Sequence, residues 1–279
     1  LRIEACRDIG SGSINRCYRA DAADGRQFFL KVNDAHGVPM FAAEAEGLRE
    51  LQAAGAVRVP EPLAHGVAGE SAWLLLEHLE LRPGSAAAAA ALGSALARQH
   101  RHTAEQFGWH RDNTIGSTPQ PNGWMADWIG FWRERRLAFQ VRLALENGYG
   151  AALGDRGEQL SEILPAFFAG YGPAPSLLHG DLWGGNWAMT PDEQPVIFDP
   201  AVYYGDREAD IAMTELFGGF PREFYSAYER AWPLDPGYRR RRDIYNLYHV
   251  LNHLNLFGGA YLHQAVGLMD RLLGELQED

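Results

Sequence analysis

The chain has 279 residues, 46% of them hydrophobic and 22% charged, with a formal net charge of −11. That length suits one large domain or two smaller ones sharing a cleft, and the composition is ordinary for a globular chain. The acidic balance argues against a nucleic-acid binder, no apolar run reaches the ~18–20 residues of a membrane span, and two cysteines, Cys6 and Cys17, make neither a disulfide framework nor a zinc site. A reducing cytoplasm is the compartment these features predict. All but one of the 25 basic residues are arginine; the exception is Lys31. A lone lysine in such a chain suggests a site that needs a compact ammonium and not a guanidinium fork.

In chain order, Arg2–Ile9, Arg16–Ala20 and Phe28–Val32 read as an antiparallel meander. Its first turn is the cluster Gly10, Ser11, Gly12, Ser13. Pro39 opens a helix carrying Phe41, Ala45, Leu48 and Leu51 at helical spacing, and Gly55 ends it. Strand-like runs follow at Pro62–Val67 and Trp73–Leu79. Helical periodicity then dominates Ala86–Gln106, Trp124–Glu146 and Glu158–Phe168, with a Gly/Pro/Asn loop at Gly108–Gly123. Short extended pieces occupy Leu177–Asp199. Helix resumes from Glu208, broken near Gly218–Pro221 and Pro233–Gly237. The predicted class is α+β and bilobal: residues 1–80 form a small antiparallel sheet with one helix, and residues 81–279 a mostly helical lobe. A ligand cleft is expected between them.

The strongest local signal is His179-Gly180-Asp181-Leu182-Trp183-Gly184-Gly185-Asn186. An Asp with an Asn five residues on fits a loop that does two jobs: Asp181 takes or orients the proton of an attacking hydroxyl, and Asn186 returns as a neutral oxygen ligand for Mg²⁺. Pro195–Phe198 is a short apolar strand ending in Asp199. A hairpin of that length brings Asp199 back beside Asn186, a pairing of hard oxygens that suits magnesium. Lys31 sits in an apolar strand, where an unpaired ammonium is costly, so it needs a partner. Phe41, Glu44 and Leu48 share one helix face, which favours Glu44 over its neighbour Glu46. Lys31 would then reach the α- and β-phosphates of ATP, the Gly10–Ser13 turn would cover them with backbone N–H groups, and backbone groups of Glu77, His78 and Leu79 would meet adenine.

These residues carry a family resemblance. Leu30-Lys31-Val32-Asn33, Met40-Phe41-x-x-Glu44, Val57-Arg58-Val59-Pro60, Glu77-His78-Leu79, Asn113–Gln120, Leu177–Asn186, Val196–Ala201, Phe217-Gly218-Gly219-Phe220 and Leu251-Asn252-His253 together resemble the fructosamine (ketosamine-3-) kinases. That family lies in the aminoglycoside-phosphotransferase-like branch of the protein-kinase-like fold. The resemblance covers nearly the whole chain. It implies transfer of the ATP γ-phosphate to the 3-hydroxyl of a ketosamine such as fructosamine or ribulosamine, free or protein-bound, with Mg²⁺, in a deglycation repair role. Asp181 is then the catalytic base, Trp183 a wall against the sugar, and Asp210 a support for the catalytic loop. Some members of that family carry a cysteine in the Gly-rich loop; here the loop reads Gly-Ser-Gly-Ser, and Cys17 falls on the next strand. Arg239–Arg242 reads as a solvated helix start with no site. The competing expectations are a kinase for an aminoglycoside or amino alcohol and, further off, a nucleotide-binding module without chemistry.

Overall fold

Alternation of apolar and polar side chains gives the first part of the chain its sheet. The computed structural model of the protein describes residues 2–12 and 14–275, so Ser13 lies outside the described residues. Strands β1 (Ile3–Ser11), β2 (Arg16–Ala22) and β3 (Gln27–Asp34) form the expected meander. Strands β4 (Pro62–Ala68) and β5 (Ser71–Glu77) extend it in the order β1-β2-β3-β5-β4. Pairing of β5 with β3 sets Lys31 opposite Leu74 in the middle of the sheet. Gly10 and Ser11 belong to β1, not to the turn after it, and Gly10 sits at φ 110° beside a register shift.

Helix α1 (Val38–Ala54) has Pro39 at its first turn and ends at Gly55, whose φ of 64° is the left-handed cap that glycine supplies. Its inner face, Phe41, Ala45, Leu48 and Leu51, is fully buried. Each of the large side chains contributes about 1.5–3 kcal/mol by leaving water.

After β5 the chain is pinned to the helical part by a pair of bonds. Arg82 N–H donates to the Met189 carbonyl (2.8 Å), and Met189 N–H returns to the Arg82 carbonyl (3.0 Å). Ser85 then caps α2 (Ala86–Gln99), its Oγ accepting the Ala88 N–H at 3.1 Å. The expected helix to Gln106 stops short because the next residue, His100, is buried in polar contact with Tyr228 and Asp210. The Gly108–Gly123 loop contains a small hairpin, β6 (Asn113–Ile115) and β7 (Thr118–Gln120). α3 (Trp128–Phe131) widens into a π-helical turn over Trp132–Leu137 and continues as α4 (Ala138–Glu146). The widened turn carries Arg136, fully buried, with its guanidinium on the Pro121 carbonyl (2.6 Å) and the Asn122 amide oxygen (2.7 Å).

α5 (Ala151–Ile163) begins before the expected Glu158 and runs into a short 3₁₀ turn, Leu164–Phe168. β8 (Ser176–Leu178) pairs with β11 (Tyr203–Gly205), and β9 (Trp187–Met189) with β10 (Pro195–Ile197). α6 (Glu208–Leu216), α7 (Arg222–Ala231), α8 (Tyr238–Phe257) and α9 (Leu262–Glu275) complete the lobe. The basic run at 239–242 is not uniformly solvated. Arg241 is buried on a salt bridge to Glu208 (2.7 Å) and another to Asp235 (2.7 Å).

Candidate active site

The β8–β9 loop and the end of β10 build one wall of a cleft of about 750 Å³. Two glycines make the loop possible. Gly180 has φ 83°, and a Cβ there would lie 2.0 Å from the Ala201 carbonyl oxygen, so any other residue would push the loop off the Asp199–Ala201 segment. Gly185 lies beneath the Trp183 ring, where a Cβ would come within 2.3 Å of ring carbon. The hairpin sets Ile197 opposite Trp187, and Phe198 N–H donates to the Asn186 carbonyl at 3.0 Å. Asp199 therefore emerges beside Asn186. It holds φ 58°, a left-handed backbone that an aspartate adopts only when its surroundings impose it.

Opposite lies the ammonium. Lys31 Nζ is 2.5 Å from Glu44 Oε1 and 2.6 Å from Asp199 Oδ1, and the residue is only 4% exposed. Burial alone would push this amine down, but the charges of Asp199 and Glu44 outweigh it and hold it above the usual lysine range. Glu44 is pushed up by burial, with Lys31 pulling it down and the Asp199 charge adding to the rise. The pair is firmly ionised on the lysine side. Glu46, the alternative partner, faces away and bonds His110 (3.1 Å) and Arg111 (3.0 Å). With Glu50, which accepts from Tyr204 Oη at 2.6 Å, it fastens α1 to the helical lobe.

Asp181 lines the same cleft. Asn186 Nδ2 donates to its carbonyl (2.8 Å) and lies 3.3 Å from its Oδ2, which commits the amide nitrogen and leaves the amide oxygen as the group offered to the cleft. Burial, and then the Asp199 charge, push the Asp181 carboxyl up to about 7. That value suits a group that must gain a proton near neutral pH. Asp210, on α6, accepts the N–H groups of His179 (2.7 Å) and Gly180 (2.8 Å). His179 Nε2 is 3.0 Å from the Phe198 carbonyl, which can only accept, so this nitrogen carries the proton. Its Nδ1 then accepts the Asp181 N–H at 3.3 Å. One ring thus ties the Asp181 backbone to the strand that presents Asp199.

Of the residues singled out in the sequence, Gly12, Lys31, Glu44, Asp181, Trp183, Asn186 and Asp199 line this one cleft. Gly10, Ser11, Glu77, His78 and Leu79 border the sheet outside it. The Glu77 N–H is already taken by the Glu61 carbonyl (2.9 Å), and its carboxylate grips Arg58. Sequence spacing assigns no role to His100 or His179, since His100 acts through Tyr228 and Asp210 and His179 through the Phe198 carbonyl, all remote in the chain.

Among the described residues no group of three or more His, Cys, Asp or Glu side chains could hold a metal. One free amide oxygen and one half-exposed carboxylate fit a magnesium that takes its remaining ligands from phosphates and water. They do not fit a cage of protein ligands alone.

Residues 1–275 match the model of the fructosamine kinase family. The chain is 44% identical over 279 residues to a protein of Synechocystis sp. provisionally named a ketoamine kinase, covering 98% of this chain and 92% of that one. It is 41% identical over 281 residues to the chloroplastic protein-ribulosamine 3-kinase of Oryza sativa subsp. indica, covering 99% and 81%. A crystal structure from Thermobifida fusca, provisionally named a fructosamine-3-kinase, superposes with a TM-score of 0.85 at 32% identity, over 98% of this chain and 94% of that one. A thermostable mutant of an aminoglycoside phosphotransferase shares the fold alone, with a TM-score of 0.66 at 17% identity over 98% and 95%. Sequence match along the whole chain and the shared bilobal architecture agree: the chain belongs to the fructosamine kinase family.

Proposed function

We propose that the chain transfers the γ-phosphate of ATP to the 3-hydroxyl of a ketosamine. The observation that carries this is the convergence of Lys31, Asp199, Asn186 and Asp181 on one cleft bordered by an aromatic ring, Trp183. Phosphoryl transfer asks a protein mainly for positioning and for charge placed where the reaction develops it. Lys31, braced by Glu44, contacts the α- and β-phosphates. Asp199 and the Asn186 oxygen would hold magnesium, which would supply charge neutralisation to the phosphates. Asp181 accepts the proton of the attacking hydroxyl. Trp183 offers a flat apolar face to the sugar ring. Of the glycine-rich segment, Gly12 lines the cleft, and its backbone N–H is the one positioned to cover the phosphates; the His78–Leu79 backbone and the Glu77 carbonyl remain for adenine. The role that follows is repair of sugar-modified amines.

The test is a phosphate-transfer screen with ATP and magnesium against fructosyl-lysine, ribosyl-lysine, choline and kanamycin. A ketosamine should be turned over best, with phosphate on its 3-hydroxyl. Best turnover of choline or kanamycin would refute the assignment.

A further inference from the structure

The motifs around Phe217 and His253 take no part in the phosphate chemistry, yet both line the cleft that holds Asp181. Their rings form a connected series. Trp183 meets Phe217 edge-on at 6.4 Å, Phe217 meets His253 at 4.6 Å, and His253 meets Phe257 at 5.4 Å and Tyr261 at 5.2 Å. Phe257 is 46% exposed and Trp183 39%. Two large rings left wet at the mouth of a cleft are surface that a ligand covers. The rings come from three elements: the catalytic loop, the end of α6, and α8 with the turn that follows it.

His253 stands at the centre of the series. Its Nδ1 lies 2.8 Å from the His249 carbonyl oxygen, which can only accept, so Nδ1 carries the proton. Burial holds the ring below the usual histidine range and hence neutral. Its Nε2 is then a bare lone pair. The charges in the cleft point the same way. Among the described residues that line the space, Asp181, Glu44 and Asp199 face Lys31 as the one cationic side chain, and none is an arginine. Electron-rich ring faces, a neutral acceptor and a surplus of negative charge favour one guest in common, an organic cation.

We infer that the wall of Phe217, His253, Phe257 and Tyr261 recognises the protonated amine of the substrate, and so makes the enzyme selective for amine adducts over free sugars. The inference rests on the ketosamine reading. In such a compound the secondary ammonium lies only a few bonds from the reacting hydroxyl, within reach of rings that border Asp181. A free sugar offers the same hydroxyls and no cation.

The experiment is calorimetric binding, with magnesium and a non-hydrolysable ATP analogue present. The ligands are 1-deoxy-1-alkylamino-fructose and its ether isostere, in which oxygen replaces nitrogen. Wild type should bind the amine about tenfold more tightly than the ether, the range expected of a desolvated cation on aromatic faces. Phe257→Leu should shrink that ratio to about threefold or less, and Phe257→Tyr, which keeps the ring, should restore it; thermal melting checks that both variants are folded. Equal affinity of wild type for the two ligands overturns the inference. So does a Phe257→Leu variant that weakens both ligands alike, because the wall would then read only sugar or shape. Transfer of phosphate to the amine is measured alongside. Selective binding without transfer would refute the kinase reading and leave the wall; transfer without selectivity would refute the wall and leave the kinase.

Discussion

Replacing Asp181 by asparagine should abolish turnover and make the protein more stable, and the gain should depend on pH. The Asp181 carboxyl is pushed from 3.8 up to about 7, first by burial and then by the Asp199 charge. A folded-state value above the unfolded one means that the fold prefers the protonated acid. The ionised form therefore costs stability, from nothing below about pH 4 to its full extent above about pH 7. Three units at about 1.36 kcal/mol each would give a ceiling of ~4 kcal/mol. Asp181 is only half-buried and opens on the cleft, so solvent screening reduces this to about 1–2 kcal/mol. For a chain of this size that is a rise in melting temperature of about 2–4 °C. The assay is thermal unfolding of Asp181→Asn and wild type at pH 5 and pH 8, without nucleotide or metal, beside a transfer assay. The variant should melt higher at pH 8, with only about a third of that gain left at pH 5, and its turnover should fall by orders of magnitude. A variant less stable than wild type at pH 8, or a gain equal at both pH values, would refute the argument that the base is held at a cost.

The same carboxyl sets an acid limb in kcat/KM near pH 7, with activity rising as Asp181 ionises; a pH–rate profile of the free enzyme should find it, and a limb near pH 4 would count against the assignment. Arg241→Met should destabilise the fold by about 3–5 kcal/mol, read from the urea midpoint, because it strands Glu208 in the interior. Burial raises Glu208 to about 7, so protonation relieves the stranded charge below that value, and the loss should be smaller at pH 5 than at pH 8. Glu193→Gly should raise the melting temperature by the equivalent of about 0.5–1 kcal/mol, since Glu193 holds φ 63° in the β9–β10 turn and gives up only a 3.3 Å bond to Ser85.

Much of the site was legible because its parts break local rules. An ammonium inside Phe29-Leu30-Lys31-Val32 demands a carboxylate, and helical spacing chose Glu44 over Glu46, as the 2.5 Å bond bears out. The fold class was legible in the change from strand to helix periodicity. The start of α5 was hidden for a physical reason. Residues 148–157 carry four glycines, which read as helix breakers. Gly154 and Gly157 serve instead to let α5 approach α4: a Cβ on Gly154 would lie 3.3 Å from Leu145, and one on Gly157 2.9 Å from Val141. Close packing won over propensity. The π-helical turn that buries Arg136 has no sequence signature, and Arg241 was misread because one residue of a charged run can face inward when its partners come from elsewhere in the chain. The aromatic wall was invisible for a similar cause. His253, Phe257 and Tyr261 look like ordinary helix residues until α6 and the catalytic loop bring Phe217 and Trp183 beside them.

Amines that have shed their proton attack the carbonyl carbon of reducing sugars. The chain's one ε-amine lies 4% exposed between two carboxylates that keep it charged, and every other basic side chain is an arginine. Glucose therefore finds no exposed lysine among these 279 residues to modify. A ketosamine kinase made this way offers no lysine side chain for conversion into the kind of adduct its relatives are named for.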